Sequence, residues 1–354
     1  MKSNIFLILL LANVLSLFSQ PKVLEKAYTH KNLTIYLLEG EQLVSREYIT
    51  LEEAIKNKKI VLYETGSVNE LKVDNKSDNY VFIMSGDIVK GGKQDRTISE
   101  DLVLNPKSKN TPLGSFCVEQ SRWKKRGSEK VTEFSSSNQM LSNRNLKIAA
   151  RSSKSQSAVW AEVSNFQTNA GKNVNANVQS RSSATSLQLS LENKELKKTL
   201  TEYTKALSKA FEGKSNIVGF VSCINGKVAS AEWFGNVNLA KKLQPKLLES
   251  VTHEAIFLYD KGLEFETCSV SDVKTFLNNA EEGEETVQST GKDMLLRQRK
   301  NEQSITFKSF NISASEYPLH VSIYSTEDLE SSTKDGSTQQ YQYGGHRSRN
   351  ILNR

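Results

Sequence analysis

Apolar residues recur at two spacings along this chain, and the changes of spacing predict its elements. Residues 33–38, rich in Leu, Ile and Tyr, read as a strand. Thr50 precedes a short helical stretch, 51–58, with Glu53 three residues on, as in a capping box. Strands are expected at 60–63 and 80–84, separated by a polar turn region with Asn69, Asp74, Asn75 and Asp78. Residues 97–104 and 113–118 read as two more strands, so the first part of the chain is strand-dominated. Residues 127–145 look irregular, with Ser135, Ser136 and Ser137 a low-complexity island.

Helical spacing then takes over. Ala158, Val159, Ala161, Val163 and Phe166 form a helical face together with Trp160, whereas 165–186 is too rich in Asn, Ser and Gln for core. Leu196, Leu200, Tyr203, Leu207, Ala210 and Phe211 make a strong helix that Gly213 closes. Residues 217–224 and 227–234 read as a hairpin, joined by Asn225-Gly226, a pair that tolerates the positive φ angles of a type I′ turn. The run from Val237 to Val251 is helical, with Pro245 either kinking it or starting a second helix. A short helix at 271–279, an acidic loop at 281–285 and strands at 305–310 and 320–324 follow. No repeat and no strict βαβ alternation is visible. The expected class is α+β, with a largely antiparallel sheet, several packed helices and long polar loops.

The first residues change the picture of location. Lys2 precedes an uncharged run, 3–19, with an apolar heart at 5–18. A short positive region and an apolar run of this length describe a secretory signal peptide, with Ser19 small enough to precede the cut and Gln20 the mature start. An uncleaved anchor is the alternative, and no other segment is long and apolar enough to span a bilayer. The expected layout is a leader at 1–19, one domain at 20–326 and a polar, basic tail at 327–354. Within the domain, 27–123 is strand-rich, 124–154 a polar and basic connection, and 155–326 the helix-and-hairpin part. The expected location is periplasmic or extracellular.

Charge is uneven. The chain carries +7, and between Arg122 and Lys154 nine basic residues face only Glu129 and Glu133. Such a patch attracts anions, or is a solvated loop. Trp123 alone is no stacking platform, so nucleic acid is not expected as a partner. Cys117, Cys223 and Cys268 allow one disulfide with one thiol over, although Cys117 and Cys223 also suit apolar packing. His30, His253, His320 and His346 lack zinc-site spacing, and no nucleophile elbow occurs, so neither metal nor cofactor is expected.

The candidate chemistry lies in two stretches. Residues 86–96 read Gly-Asp-Ile-Val-Lys-Gly-Gly-Lys-Gln-Asp-Arg, and 117–123 read Cys-Val-Glu-Gln-Ser-Arg-Trp. The first is not a Walker loop, because Gly92 stands in the lysine position. It fits a looser phosphate cradle, with Gly91 and Gly92 exposing backbone N–H groups and Lys90, Lys93 and Arg96 supplying charge. The bland alternative is a loop that needs glycine for its geometry. Asp95 and Glu119 are candidate acid and base, or share a cation with Gln120 and Asp101; equally, Arg122 neutralises Glu119 in a structural ion pair. The candidate binding set is Lys90, Gly91, Gly92, Lys93, Gln94, Asp95, Arg96, Glu119, Gln120, Arg122 and Trp123, the last equally suited to core. If both stretches form one site, residues 97–104 and 113–118 are antiparallel neighbours that bring Glu119, Gln120 and Arg122 to face Gly91 and Gly92 across a shallow cleft. Asp95, Arg96, Glu119 and Arg122 are then partly buried and paired among themselves.

These two stretches resemble the ARG-and-Rhodanese-Phosphatase-superfamily-associated protein domain, a family known mostly from prokaryotic genomes. The resemblance extends more loosely over 27–258. Members are associated with genes handling ADP-ribose and related NAD-derived nucleotides, so it implies a role near that metabolism without naming a reaction. Two functions follow. One is a domain that binds or processes a small phosphorylated or ADP-ribose-like ligand. The other is a non-catalytic envelope protein held to a partner by its basic segments; the sequence names no protein partner.

Overall fold

The computed structural model describes residues 20–120, 122, 134–262 and 264–327. The leader, Trp123, the basic residues Lys124, Lys125, Arg126 and Lys130, and the tail beyond 327 lie outside the described residues.

An antiparallel sheet of eight strands forms one side of the molecule. Its order is Lys22–His30, Leu33–Glu39, Ile217–Ile224, Lys227–Phe234, His320–Ser325, Ser304–Asn311, Met294–Lys300 and Glu284–Gly291. The hairpin turn forms as the sequence predicts, with φ of +52° at Asn225 and +78° at Gly226. The central strands are buried on both faces, so they read as continuous apolar runs instead of alternating ones. Leu33, Ile35 and Leu37 face the main core, whereas Tyr36 and Leu38 face a second one beneath the helix Val270–Asn279. The disulfide Cys223–Cys268 lies in that second layer.

Two smaller sheets pack into the main core. The six-stranded one runs Phe134–Leu141, Asp87–Gly91, Arg96–Ile98, Thr111–Cys117, Glu70–Asn75 and Ile60–Glu64. The three-stranded one holds Tyr48–Thr50, Tyr80–Ile83 and Leu102–Leu104, its first pair parallel. The stretch 97–104 is therefore two strands in two sheets, not one. The chain changes sheets at residues 99–101, where Asp101 enters a buried ion network. The fold is α+β and largely antiparallel, as expected.

Several polar stretches prove to be structured. Residues 70–75 are a strand, with Asn75 tying the backbone of Asn79 and Asn105. Ser135, Ser136 and Ser137 lie in the strand Phe134–Leu141. The acidic stretch after Glu281 enters the edge strand Glu284–Gly291. The helix expected to end near Phe166 continues as Gln156–Val174, because buried Gln167 donates to Ala184 O and Ser190 Oγ, 2.8 Å each. Pro245 lies inside one unbroken helix, Val237–Phe257. The Thr50/Glu53 capping box forms at Leu51–Lys56.

Candidate functional site

Strand pairing brings the two stretches together. Cys117 lies opposite Arg96, Phe116 opposite Thr97 and Ser115 opposite Ile98, antiparallel as expected. The chain leaves that ladder beside the glycine loop, with Val118 N–H on Asp95 O at 3.0 Å. Part of the expected loop is strand, since Asp87–Gly91 pairs with Arg96–Ile98.

At the meeting point, Arg122 is the hub. Its Nε lies 2.6 Å from Glu119 Oε2, and its Nη2 lies 3.5 Å from Asp95 Oδ1. It also donates to the carbonyls of Gly92 (3.3 Å) and Gly91 (3.4 Å). Gln94 Nε2 donates to Glu119 O at 2.7 Å, and Ser186 Oγ donates to Asp95 Oδ2 at 3.0 Å. Asp95 and Glu119 have no exposed surface and Arg122 is 8% exposed, so this is a buried cluster and not the shallow cleft expected. Arg96 joins a different partner, Glu64, with 3.3 Å between Nη2 and Oε2. It also donates to Val68 O at 2.7 Å and to Cys117 Sγ.

The backbone of the loop has a consistent use. Gly91 N–H donates to Asp95 Oδ1 (3.0 Å), Lys93 N–H to Glu64 Oε1 (3.0 Å) and Asp95 N–H to Glu119 Oε2 (3.2 Å). The donors that would cradle a phosphate hold carboxylates of the protein itself. Gly92 is required here: its φ is +55°, and a Cβ would meet the Phe134 ring and come within 2.6 Å of Glu64 Oε1. Lys90 pairs with Glu192 at 2.7 Å and is half-buried. Gln120 is exposed, its carbonyl accepts from Thr185 Oγ1, and among the described residues no contact joins it to Asp101. Asp101 belongs elsewhere. Burial pushes the Cys117 thiol up to about 11, so it is no nucleophile at neutral pH.

Glu64, like Ser186, is a member of this cluster that the sequence did not reveal. It ends the strand Ile60–Glu64, and nothing in Ile-Val-Leu-Tyr-Glu marks it.

A second polar cluster lies deeper, between the large sheet and the smaller ones. Asp101 Oδ2 meets Arg151 Nη2 (3.1 Å), Ser309 Oγ (2.5 Å) and His320 Nδ1 (2.9 Å), while Oδ1 accepts from Ser85 N–H (2.8 Å). His320 Nε2 lies 3.4 Å from Glu232 Oε2, and Glu232 Oε1 is 2.7 Å from Lys147 Nζ. Burial alone would raise the Asp101 carboxyl, but Arg151 and His320 hold it well below the usual carboxylate range. Glu232 is likewise drawn down to about 2 by Lys147 and His320 against its burial. His320 is raised, since its two carboxylates outweigh the burial that would lower it. Lys147 packs beneath Gly86, where an added Cβ would lie 2.8 Å from its Cε.

The basic segment is thus largely internal where it is described. Arg144 pairs with Glu254 at 2.9 Å, Lys147 with Glu232 and Arg151 with Asp101, all buried. Of its described members, Lys154 alone lies on the surface, pairing with Glu100. The sequence does carry a signal for this network: Glu232 and His320 interrupt runs otherwise suited to buried strands.

A family model matches residues 22–324, a span that takes in both clusters. The chain belongs to the ARG and Rhodanese-Phosphatase-superfamily-associated Protein domain family. Comparison with curated proteins and with solved structures gave no match. In this family member two cavities among the described residues lie away from the cluster. One of about 540 Å³ borders the C-terminal end of the Gln156–Val174 helix, and one of about 580 Å³ lies between residues 20–25 and the Val270–Asn279 helix. No group of three or more His, Cys, Asp or Glu among the described residues is placed to hold a metal ion. No helix among them is long and apolar enough to cross a membrane.

Proposed function

We propose that the chain is an exported binding protein whose glycine loop seats a small phosphorylated or ADP-ribose-like ligand. One observation carries this reading: Lys93 N–H and the Arg96 guanidinium converge on one carboxylate, Glu64. Backbone N–H groups and a guanidinium that hold a carboxylate also suit phosphate oxygens. Glu64 is the outermost acid of the cluster, with 8% of its side chain exposed, and it borders the exposed loop 66–69. A ligand phosphate enters by replacing Glu64, while Asp95 and Glu119 stay locked on Arg122. Those two carboxylates then set the shape of the loop and are not the acid and base of a reaction. The family's association with ADP-ribose and NAD-derived nucleotides favours this ligand class. Export is supported by the Cys223–Cys268 bond, since such bonds persist in oxidising compartments.

The rival reading, a protein held to its partner by basic segments, loses support because Arg144, Lys147 and Arg151 are spent on internal pairs. A thermal-shift screen against ADP-ribose, NAD and mononucleotides tests the proposal. A ligand at 100 times its Kd adds about 2.7 kcal/mol of stability and raises the melting point. No shift with any of them at millimolar concentration sinks the ligand reading and leaves the loop a structural clasp.

A further inference from the structure

We infer that Gln20, as the first residue of the exported chain, is a modification site that closes to a pyroglutamyl lactam. The inference rests on the export reading and on a cut after Ser19. The fold begins at once after that cut. Pro21 packs beside Gly40, whose added Cβ would lie 3.5 Å from the proline Cβ, and Val23 is buried opposite Leu38. No loose arm therefore precedes the first strand, and Gln20 itself is docked. Its Nε2 donates to Leu277 O at 3.4 Å and to Glu281 Oε1 at 3.3 Å.

Gln20 lines the edge of a groove of about 580 Å³ together with Lys22, Lys274 and Leu277, and is only partly buried there. An α-amine has an ordinary pKa of about 7.7–8.0, so a useful fraction is neutral near pH 7. Its own side-chain amide carbon is within reach through a five-membered ring, and attack within one residue has a large effective concentration. The amine nitrogen bonds to Cδ, the Cδ–Nε2 bond breaks, and one ammonia leaves with the proton that the amine gives up. No oxidant and no second reactant is consumed. Closure removes the terminal positive charge and leaves no free amine for an aminopeptidase.

The test is tandem mass spectrometry of the N-terminal peptide of the mature protein from its native source, with a Gln20→Ala variant expressed there beside it. The expected result is a peptide beginning at residue 20 that is lighter by one ammonia and inert to amine labelling, while the variant begins with the substituted alanine and is labelled. A wild-type peptide that begins at Gln20 with a free, labelled amine overturns this inference and leaves export standing. A chain that still begins at Met1, or is cut elsewhere, overturns both.

Discussion

Replacing Arg151 with methionine removes one fixed positive charge from the deep network while keeping an unbranched apolar stem. Arg151 is 1% exposed; its guanidinium touches Asp101, Ser309 and Ser322 and lies 4.3 Å from the Phe307 ring centre. Breaking one partner out of a buried pair costs about 3–5 kcal/mol, because the other charge is stranded. Asp101 keeps three donors, from Ser85, Ser309 and His320, so the loss belongs at the low end, about 3 kcal/mol. Urea unfolding followed by circular dichroism reads this as a fall in the midpoint of about 1 M at a slope near 3 kcal/mol per M. Asp101→Asn in the Arg151→Met background should then cost far less than in the wild type, giving a coupling of at least about 1.5 kcal/mol. Equal costs in both backgrounds would show that the two charges do not depend on each other.

Further outcomes follow from other sites. Gly92→Ala should destabilise the fold by about 2–3 kcal/mol, since it joins a left-handed backbone to a collision with Phe134 and Glu64; an unchanged midpoint contradicts the loop geometry. His253 is buried and held down to about 4 by burial, so the unfolded chain takes up its proton first as pH falls below about 6.5. His253 alone should therefore contribute a loss of about 3 kcal/mol between pH 6.5 and 4, read as the difference between the wild-type and His253→Leu profiles, since Glu249, raised to about 7 by burial, titrates in the opposite sense over the same range. Thiol titration should find no reactive cysteine in the folded protein, one in denaturant (Cys117) and three after reduction; two or more before reduction would deny the Cys223–Cys268 bond.

What could be read from the sequence was local or regular. The Asn225-Gly226 hairpin, the Thr50/Glu53 box and the Leu196–Leu207 face each follow from a few neighbouring residues. The antiparallel approach of the strand after the glycine loop to the one before Glu119 was also legible, although only 96–98 makes it and 102–104 leaves for another sheet. Buried charge was not. Lys147, Arg151 and Arg144 look like a basic surface until Glu232, Asp101 and Glu254, distant in sequence, are folded against them. Glu284–Gly291 was missed because an edge strand with most of its side chains in water has no apolar face to show. Glu64 was missed for a related reason: a single acid at a strand end acquires its role only through Lys93 and Arg96.

The central claim is that Glu64 occupies a seat meant for a ligand anion, and a calorimetric titration of ADP-ribose into wild type and Glu64→Gln tests it most directly. Displacing a charge-assisted contact costs about 1.5–3 kcal/mol, so the variant should bind about ten times more tightly or better. Binding of equal strength in both proteins, or none in either, would contradict the account.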